Sequence, residues 1–282
     1  MIGVELALML RKRRVWMCWA LLCALPALVA VLVSATGLAP PPGRGAAFLS
    51  AVTTNGQIFP AAALALVLPV FLPITVAVVA GDTVAGEAAT GMLRYLLVRP
   101  VGRLRMLFAK LVSVAAFVLL AVVFVTVTSY VVGIAAFGFG GVTTSGGTAA
   151  VTGFGAVPSL SGAVIEPVDL VTRTLLTVGY LALCMLTLGA VGLFFSTLTD
   201  SPLAAALGVL AVVVTSASLQ PLEAAGAVEQ FLPTAHWLAW IDLFRDPILY
   251  DAVDRGLLVQ LGWIVVAFGA AWANLATKDV TS

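Results

Sequence analysis

Apolar runs and polar breaks alternate along this chain on the scale of a lipid bilayer. Val15 to Leu38 is an uninterrupted run of 24 residues. That is long enough to cross a membrane and too long for the ~7–15 apolar residues of a signal-peptide core. Ala61 to Ala80 is a second run, carrying Pro69 and Pro73 one turn apart. Prolines there free backbone carbonyls and bend the helix. Pro26 is expected to kink the first run in the same way. Further runs cover 111–138, 174–195, 203–219 and 256–275. The expectation is an all-α integral membrane protein with six transmembrane helices at 15–38, 61–80, 111–138, 174–195, 203–219 and 256–275, in a single domain of residues 1–282.

The polar stretches differ from one another. Met1 to Arg14 is short and amphipathic, with Ile2, Leu6, Met9 and Leu10 on one helical face, and it ends in four consecutive cations. It either lies along the interface with its basic end among anionic headgroups, or only orients the next span. Thr36 to Pro60 is a loop containing Pro40, Pro41 and Pro42. Phe139 to Arg173 is rich in Gly, Ser and Thr and reads as a flexible external loop. Ser196 to Pro202 is a tight turn suited to starting the next helix. Gln220 to Arg255 reads as short helices on the outer face, with Trp237 and Trp240 in an interfacial belt.

Composition fixes the class. The chain is 62% hydrophobic and 10% charged, with a mean hydropathy of +1.14, against about 25% charged residues in a soluble domain. The net charge of +1 hides an uneven distribution. Gly81 to Lys110 holds Asp82, Glu87, Arg94, Arg99, Arg103, Arg105 and Lys110, five of the 14 basic residues. With six spans both termini share a side. Placing them inside puts ten cations in the cytoplasm and four outside, as the positive-inside rule requires. The Gly81 to Lys110 connector is then cytoplasmic and lies in water.

Candidate chemistry is sparse. The six runs as bounded contain no Asp, Glu, Lys, Arg or His. An ion-coupled carrier ordinarily needs such a group near the midplane, although sodium sites can be built from carbonyls alone. No GxxxxGK[ST] phosphate loop is present, so the chain does not bind ATP in that way. The sole histidine, His236, stands beside Trp237 in an external segment, and Ser145 and Ser161 sit in the Gly-rich loop. Neither serine is visibly held against a base, as nucleophilic catalysis requires. Cys18, Cys23 and Cys184 fall in apolar runs and read as small core residues rather than disulfides or metal ligands.

In the central connector the order Asp82, Gly86-Glu87, Thr90-Gly91, Leu93, Leu96-Leu97, Arg99-Pro100-Val101, Arg103 and Lys110 resembles the signature of the type-2 ABC exporter permeases. These are the six-span membrane subunits related to the nitrous-oxide reductase maturation permease. The similarity extends to the amphipathic N-terminal segment, the six spans, the outer segment between the fifth and sixth, and a Lys278-Asp279 pair near the C-terminus. The long Gly-rich loop and the lack of a large external domain depart from the commonest members.

The resemblance implies a cytoplasmic coupling helix between spans 2 and 3, about Thr90 to Val98, docking in a groove of a separate ATPase subunit. Met92, Leu93, Leu96 and Leu97 would form its apolar stripe, flanked by Arg94 and Arg99. Gly91 and Pro100 would bound it. Glu87 would orient the connector by pairing with Arg94, Arg99 or Arg103. Two ATPase copies would bind, carrying ATP and Mg, with no cofactor in this chain. A second copy of the chain or a related permease would complete the complex. Spans 2 and 5 would line an apolar path from Leu66, Pro69, Val70, Phe71, Pro73, Leu207 and Leu210, suited to hydrophobic or amphiphilic cargo. The expected location is the plasma membrane, with lipid and no nucleic acid among the partners. The rival readings are a non-transporting anchor or assembly factor for a soluble partner and, third, an ion-coupled secondary carrier.

Overall fold

The computed structural model describes residues 2–36, 48, 52, 55–89, 91, 102–138, 157–161 and 163–277. Helix α1 (Ile2–Arg11) is followed after one non-helical residue by α2 (Arg13–Thr36), which continues through Pro26. A 3-10 turn at Gly56–Ile58 leads into α3 (Phe59–Val67), and α4 (Phe71–Gly81) follows a break. The short α5 (Ala85–Ala89) precedes α6 (Arg103–Phe137), a helix of 35 residues. Strands β1 (Val157–Pro158) and β2 (Val164–Ile165) form a two-residue antiparallel pair. Helices α7 (Pro167–Leu198), α8 (Pro202–Leu219) and α9 (Tyr250–Thr277) complete the bundle.

Five of these helices, α2, α6, α7, α8 and α9, are long and apolar enough to cross a membrane. The pair made of Gly56–Val67 and α4 supplies a sixth if it is one span bent by 60°. The chain is thus a helical, multi-span membrane protein.

Several helices start before the expected spans and take in charges: α2 from Arg13, α9 from Tyr250 with Asp251, Asp254 and Arg255, and, with the largest consequences, α6 and α7. Helix α6 starts at Arg103, eight residues before the apolar run does. Arg, Leu, Met, Ala and Lys are all good helix formers, so the helix outruns its hydrophobic stretch. Arg103, Arg105 and Lys110 belong to it rather than to a watery connector. Helix α7 starts at Pro167, where a first-turn proline sacrifices no hydrogen bond, and Asp169 faces the positive end of the helix dipole. Arg173 therefore lies inside a helix and is buried.

Helix α7 is the centre of the bundle, packing against α4, α6, α8 and α9. Glycines allow the close approach. A Cβ on Gly189 would stand 2.6 Å from Val114 Cγ1, and one on Gly192 would stand 2.6 Å from Ala80 Cβ. Helix α2 lies on α6, with Trp19 stacked 5.7 Å from Phe117 and edge-on 5.0 Å from Phe124. The two helices of this bent pair have different neighbours. Helix α3 packs on α6, whereas α4 packs on α7 and α8. The break at 68–70 falls between these two contacts.

At one end of the bundle, residues 220–249 fold back over α7, α8 and α9 as a cap. It contains 3-10 stretches at Glu223–Phe231 and Ala239–Phe244. Span side chains hold its carbonyls. Tyr180 Oη donates to His236 O at 2.6 Å, Gln260 Nε2 to Pro233 O at 2.8 Å and Trp263 Nε1 to Phe231 O at 2.8 Å. Arg173 Nη1 donates to Leu243 O at 3.2 Å and Arg245 O at 2.7 Å. Trp237 and Trp240 are consequently core residues, not a half-wet belt. Trp240 is fully buried, with Phe48 and Phe244 against its ring. The end of the Gly-rich loop is also fixed, since Ser161 Oγ accepts from Asp246 N at 3.2 Å. Residues 139–156 lie outside the described residues.

Candidate functional site

The opposite end of the bundle gathers α1, the end of α4, α5, the start of α6, the α7–α8 turn and the end of α9. The basic residues 11–14 and 103–110 meet here, so we call it the basic end.

Its first component is a turn after α4. Asp82 accepts from Lys12 Nζ at 2.7 Å and Arg14 Nη1 at 3.3 Å, clipping the α1–α2 junction to the second span. Gly86 leaves room for this carboxylate: a Cβ there would stand 2.5 Å from Asp82 Oδ1 and push the Asp82 side chain aside. Ser196 of α7 fastens the same turn. Its hydroxyl donates to Gly81 O at 2.8 Å and accepts from Val84 N at 2.9 Å and Ala85 N at 2.8 Å. A single buried hydroxyl thus satisfies backbone groups at the end of α4 and the start of α5.

The second component is a buried ion cluster. Lys110 of α6 is 1% exposed. Its ammonium donates to Glu87 Oε1 at 2.5 Å and Thr83 O at 2.8 Å, and Glu5 Oε1 of α1 lies 3.6 Å away. One cation therefore joins α1, α5 and α6. The expected partners of Glu87 were Arg94, Arg99 or Arg103; Arg94 and Arg99 lie outside the described residues, and among the described residues Glu87 pairs with Lys110. Arg103 serves elsewhere, donating from Nη1 to Leu275 O and Ala276 O, both at 2.8 Å. Those are orphan carbonyls at the end of α9, where a cation also meets the negative end of the helix dipole. Asn274 adds a second tie, from Nδ2 to Thr197 O at 2.9 Å.

The connector between these anchors begins at Gly91, which has φ +73°, a left-handed conformation favouring glycine. The residues expected in the coupling helix, Met92, Leu93, Arg94, Leu96, Leu97, Arg99 and Pro100, lie outside the described residues. Of the expected path residues, Pro69, Val70 and Leu207 are exposed, Leu66, Phe71 and Leu210 are half-buried, and Pro73 is buried. Helix α4 packs on α8, the helix that carries Leu207 and Leu210. Pro73 faces the bundle rather than the outside.

A cavity of about 500 Å³ opens at the basic end, with Lys12, Arg13 and Arg14, Asp82 and Glu87, and apolar residues of α1, α4 and α6 around it. Among the described residues no group of three or more His, Cys, Asp or Glu could hold a metal ion.

Sequence reasoning named Glu87 and Arg103 but missed the roles of Lys110, Ser196 and Asn274. The one available signal for Lys110 was its position at the end of the connector motif. Ser196 carried none, since STLTDSP reads as an ordinary turn.

Comparison with curated proteins finds no match to this chain. A family described as "Protein of unknown function (DUF2705)" matches residues 26–222, from the middle of α2 to the start of the cap. That span takes in the broken helix, the connector and Ser196, and covers well over half of the chain, which therefore belongs to the DUF2705 family.

Proposed function

We propose that this chain is the membrane permease subunit of an ATP-binding cassette exporter. Two copies of a separate ATPase, carrying ATP and Mg, would bind at the basic end. The chain would pair in the plasma membrane with a second copy or a related permease, its basic end and both termini cytoplasmic. The observation that carries this reading is that the connector leaves and re-enters the bundle through two anchored points. On one side Glu87 is bound to the buried Lys110 of α6. On the other, Arg103 holds the last carbonyls of α9. A displacement imposed on residues 90–101 would be passed to the second, third and sixth spans together rather than absorbed by a slack loop.

The broken second span favours transport over static anchoring. Pro69 and Pro73 have no N–H to return to Ala65 and Pro69, and the halves meet at 60°. Pro69 and Val70 are exposed at the break. Irregular backbone at membrane depth must be covered by protein or line a cavity. A cavity shared with a second permease supplies that cover, and its apolar walls suit hydrophobic or amphiphilic cargo.

The test is co-purification, in lipid, of the chain with an ABC ATPase co-expressed from a neighbouring gene. Leu96→Arg introduces a charge on the stripe expected to dock and should abolish co-purification, since burying an unpaired charge costs several kcal/mol. Glu87→Ala should retain the ATPase but lose substrate-stimulated turnover. If both variants keep the ATPase and its full turnover, the coupling assignment is wrong.

A further inference from the structure

The geometry points to a binding site for one anionic phospholipid at the basic end, its phosphate at Arg13 and Arg14 and its headgroup in the cavity of about 500 Å³ beneath them. This goes beyond the transport reading and does not depend on it.

The argument starts from charge. The lining carries four cations, Lys12, Arg13, Arg14 and Lys110, against three carboxylates, Glu5, Asp82 and Glu87, which leaves one positive charge. That charge is not spread evenly. Lys110 is buried and enclosed by Glu87 and Glu5. At the mouth, Asp82 is the one carboxylate among the described residues that faces Lys12 and Arg14, with Arg13 beside them. The mouth is therefore strongly positive, and the carboxylates of Glu5 and Glu87 line the floor. A phosphodiester monoanion balances the total, and a headgroup with hydroxyl donors suits the carboxylates of the floor. Phosphatidylglycerol has both properties, whereas phosphatidylcholine has neither a net charge nor headgroup donors.

Location agrees with the charge. The chain turns at Lys12, between α1 and α2, with Lys12 N bonded to Met9 O at 3.1 Å. The turn brings three successive cations to one opening beside a membrane-spanning helix. Trp16, 56% exposed and bonded through Nε1 to Leu10 O at 2.8 Å, marks interface depth next to it. Val78, on the exposed side of α4, also lines the cavity and offers an apolar exit for acyl chains. The volume falls within the ~300–1,000 Å³ of ordinary ligand sites.

The experiment is native mass spectrometry of the full chain in detergent, with chain-matched phosphatidylglycerol or phosphatidylcholine added. Wild type should retain one phosphatidylglycerol at least about tenfold better than phosphatidylcholine. Arg13→Gln/Arg14→Gln should weaken it by roughly 25-fold, about fivefold for each cation near a headgroup. The matched control is Arg11→Gln/Arg105→Gln, which removes two exposed cations outside the cavity and should change retention less than about twofold. Equal retention of both lipids by wild type would overturn the proposal without recourse to any variant. An equal loss in the control would reduce the effect to general surface charge and overturn the site. Displacement of the lipid by millimolar glycerol 3-phosphate would refute the lipid and identify a soluble phosphate ligand.

Discussion

Lys110 offers the sharpest test of how the basic end is held together. Its ammonium is 2.5 Å from Glu87 and 3.6 Å from Glu5, and its side chain is 1% exposed. At an effective dielectric of about 20, opposite charges 2.5 Å apart attract by roughly 6–7 kcal/mol. Removing water from both ions takes back several kcal/mol. Glu87 retains 15% of its exposure, which trims both terms. Lys110→Met removes the cation that Glu5 and Glu87 share and should cost about 3 kcal/mol. Glu87→Gln should cost about 2 kcal/mol, because Glu5 and Thr83 O still face the ammonium. In the double variant the losses should not add, giving a coupling energy of about 2 kcal/mol. Reversible unfolding in mixed detergent micelles measures all four corners of the cycle. A coupling below about 0.5 kcal/mol would show that the ions act independently and would refute the three-helix junction.

Three further outcomes are expected. Gly133→Ala should lower stability by about 1–3 kcal/mol or more, as overpacking does, because its Cβ would stand 2.5 Å from Gly56 O and 2.6 Å from Phe59 Cβ; a thermal melt equal to wild type would contradict the contact. Arg173→Ala should free the cap by leaving the carbonyls of Leu243 and Arg245 without their donor, seen as faster hydrogen exchange in residues 239–247 with the remaining helices unchanged. His236 gives a pH dependence: burial and the nearby Arg255 hold its pKa below 6.5, so the unfolded chain takes up the proton first. Stability from this group is complete above about pH 6.5 and falls as pH drops toward the folded value. The melting temperature should fall more between about pH 7.5 and pH 5 in wild type than in His236→Asn, and equal falls would exclude His236 as the source.

How legible this molecule was in its sequence depends on what each residue had to reveal. Hydrophobic runs marked the long helices because a bilayer demands continuous apolar length. They failed at the ends of α6 and α7, where helical propensity and a well-placed proline extend helices into polar sequence. That failure concealed the chemistry. A lysine just before a long apolar run reads as a flanking charge, and only the fold brings Glu5 and Glu87, 105 and 23 residues away, to its ammonium. Ser196 was beyond reach for the same reason, since its three backbone partners lie more than 100 residues distant. Trp237 and Trp240 misled because tryptophan suits both an interface and a core. Arg103 was singled out from the connector motif, but its grip on α9 follows from where that helix ends, which no local pattern records.

The length of α6 has a mechanical consequence. Its 35 residues make a rod of about 52 Å, while the hydrocarbon layer measures only about 30 Å. Near its far end the backbone of Gly133 bears directly on that of Gly56, and this contact can act as a pivot. From there to Arg103 the arm is about 45 Å long. A tilt of about 5° would sweep Arg103 through roughly 4 Å, enough to break its hydrogen bonds to the Leu275 and Ala276 carbonyls. A change in tilt too small to disturb packing in the middle of the membrane would therefore be large at the surface.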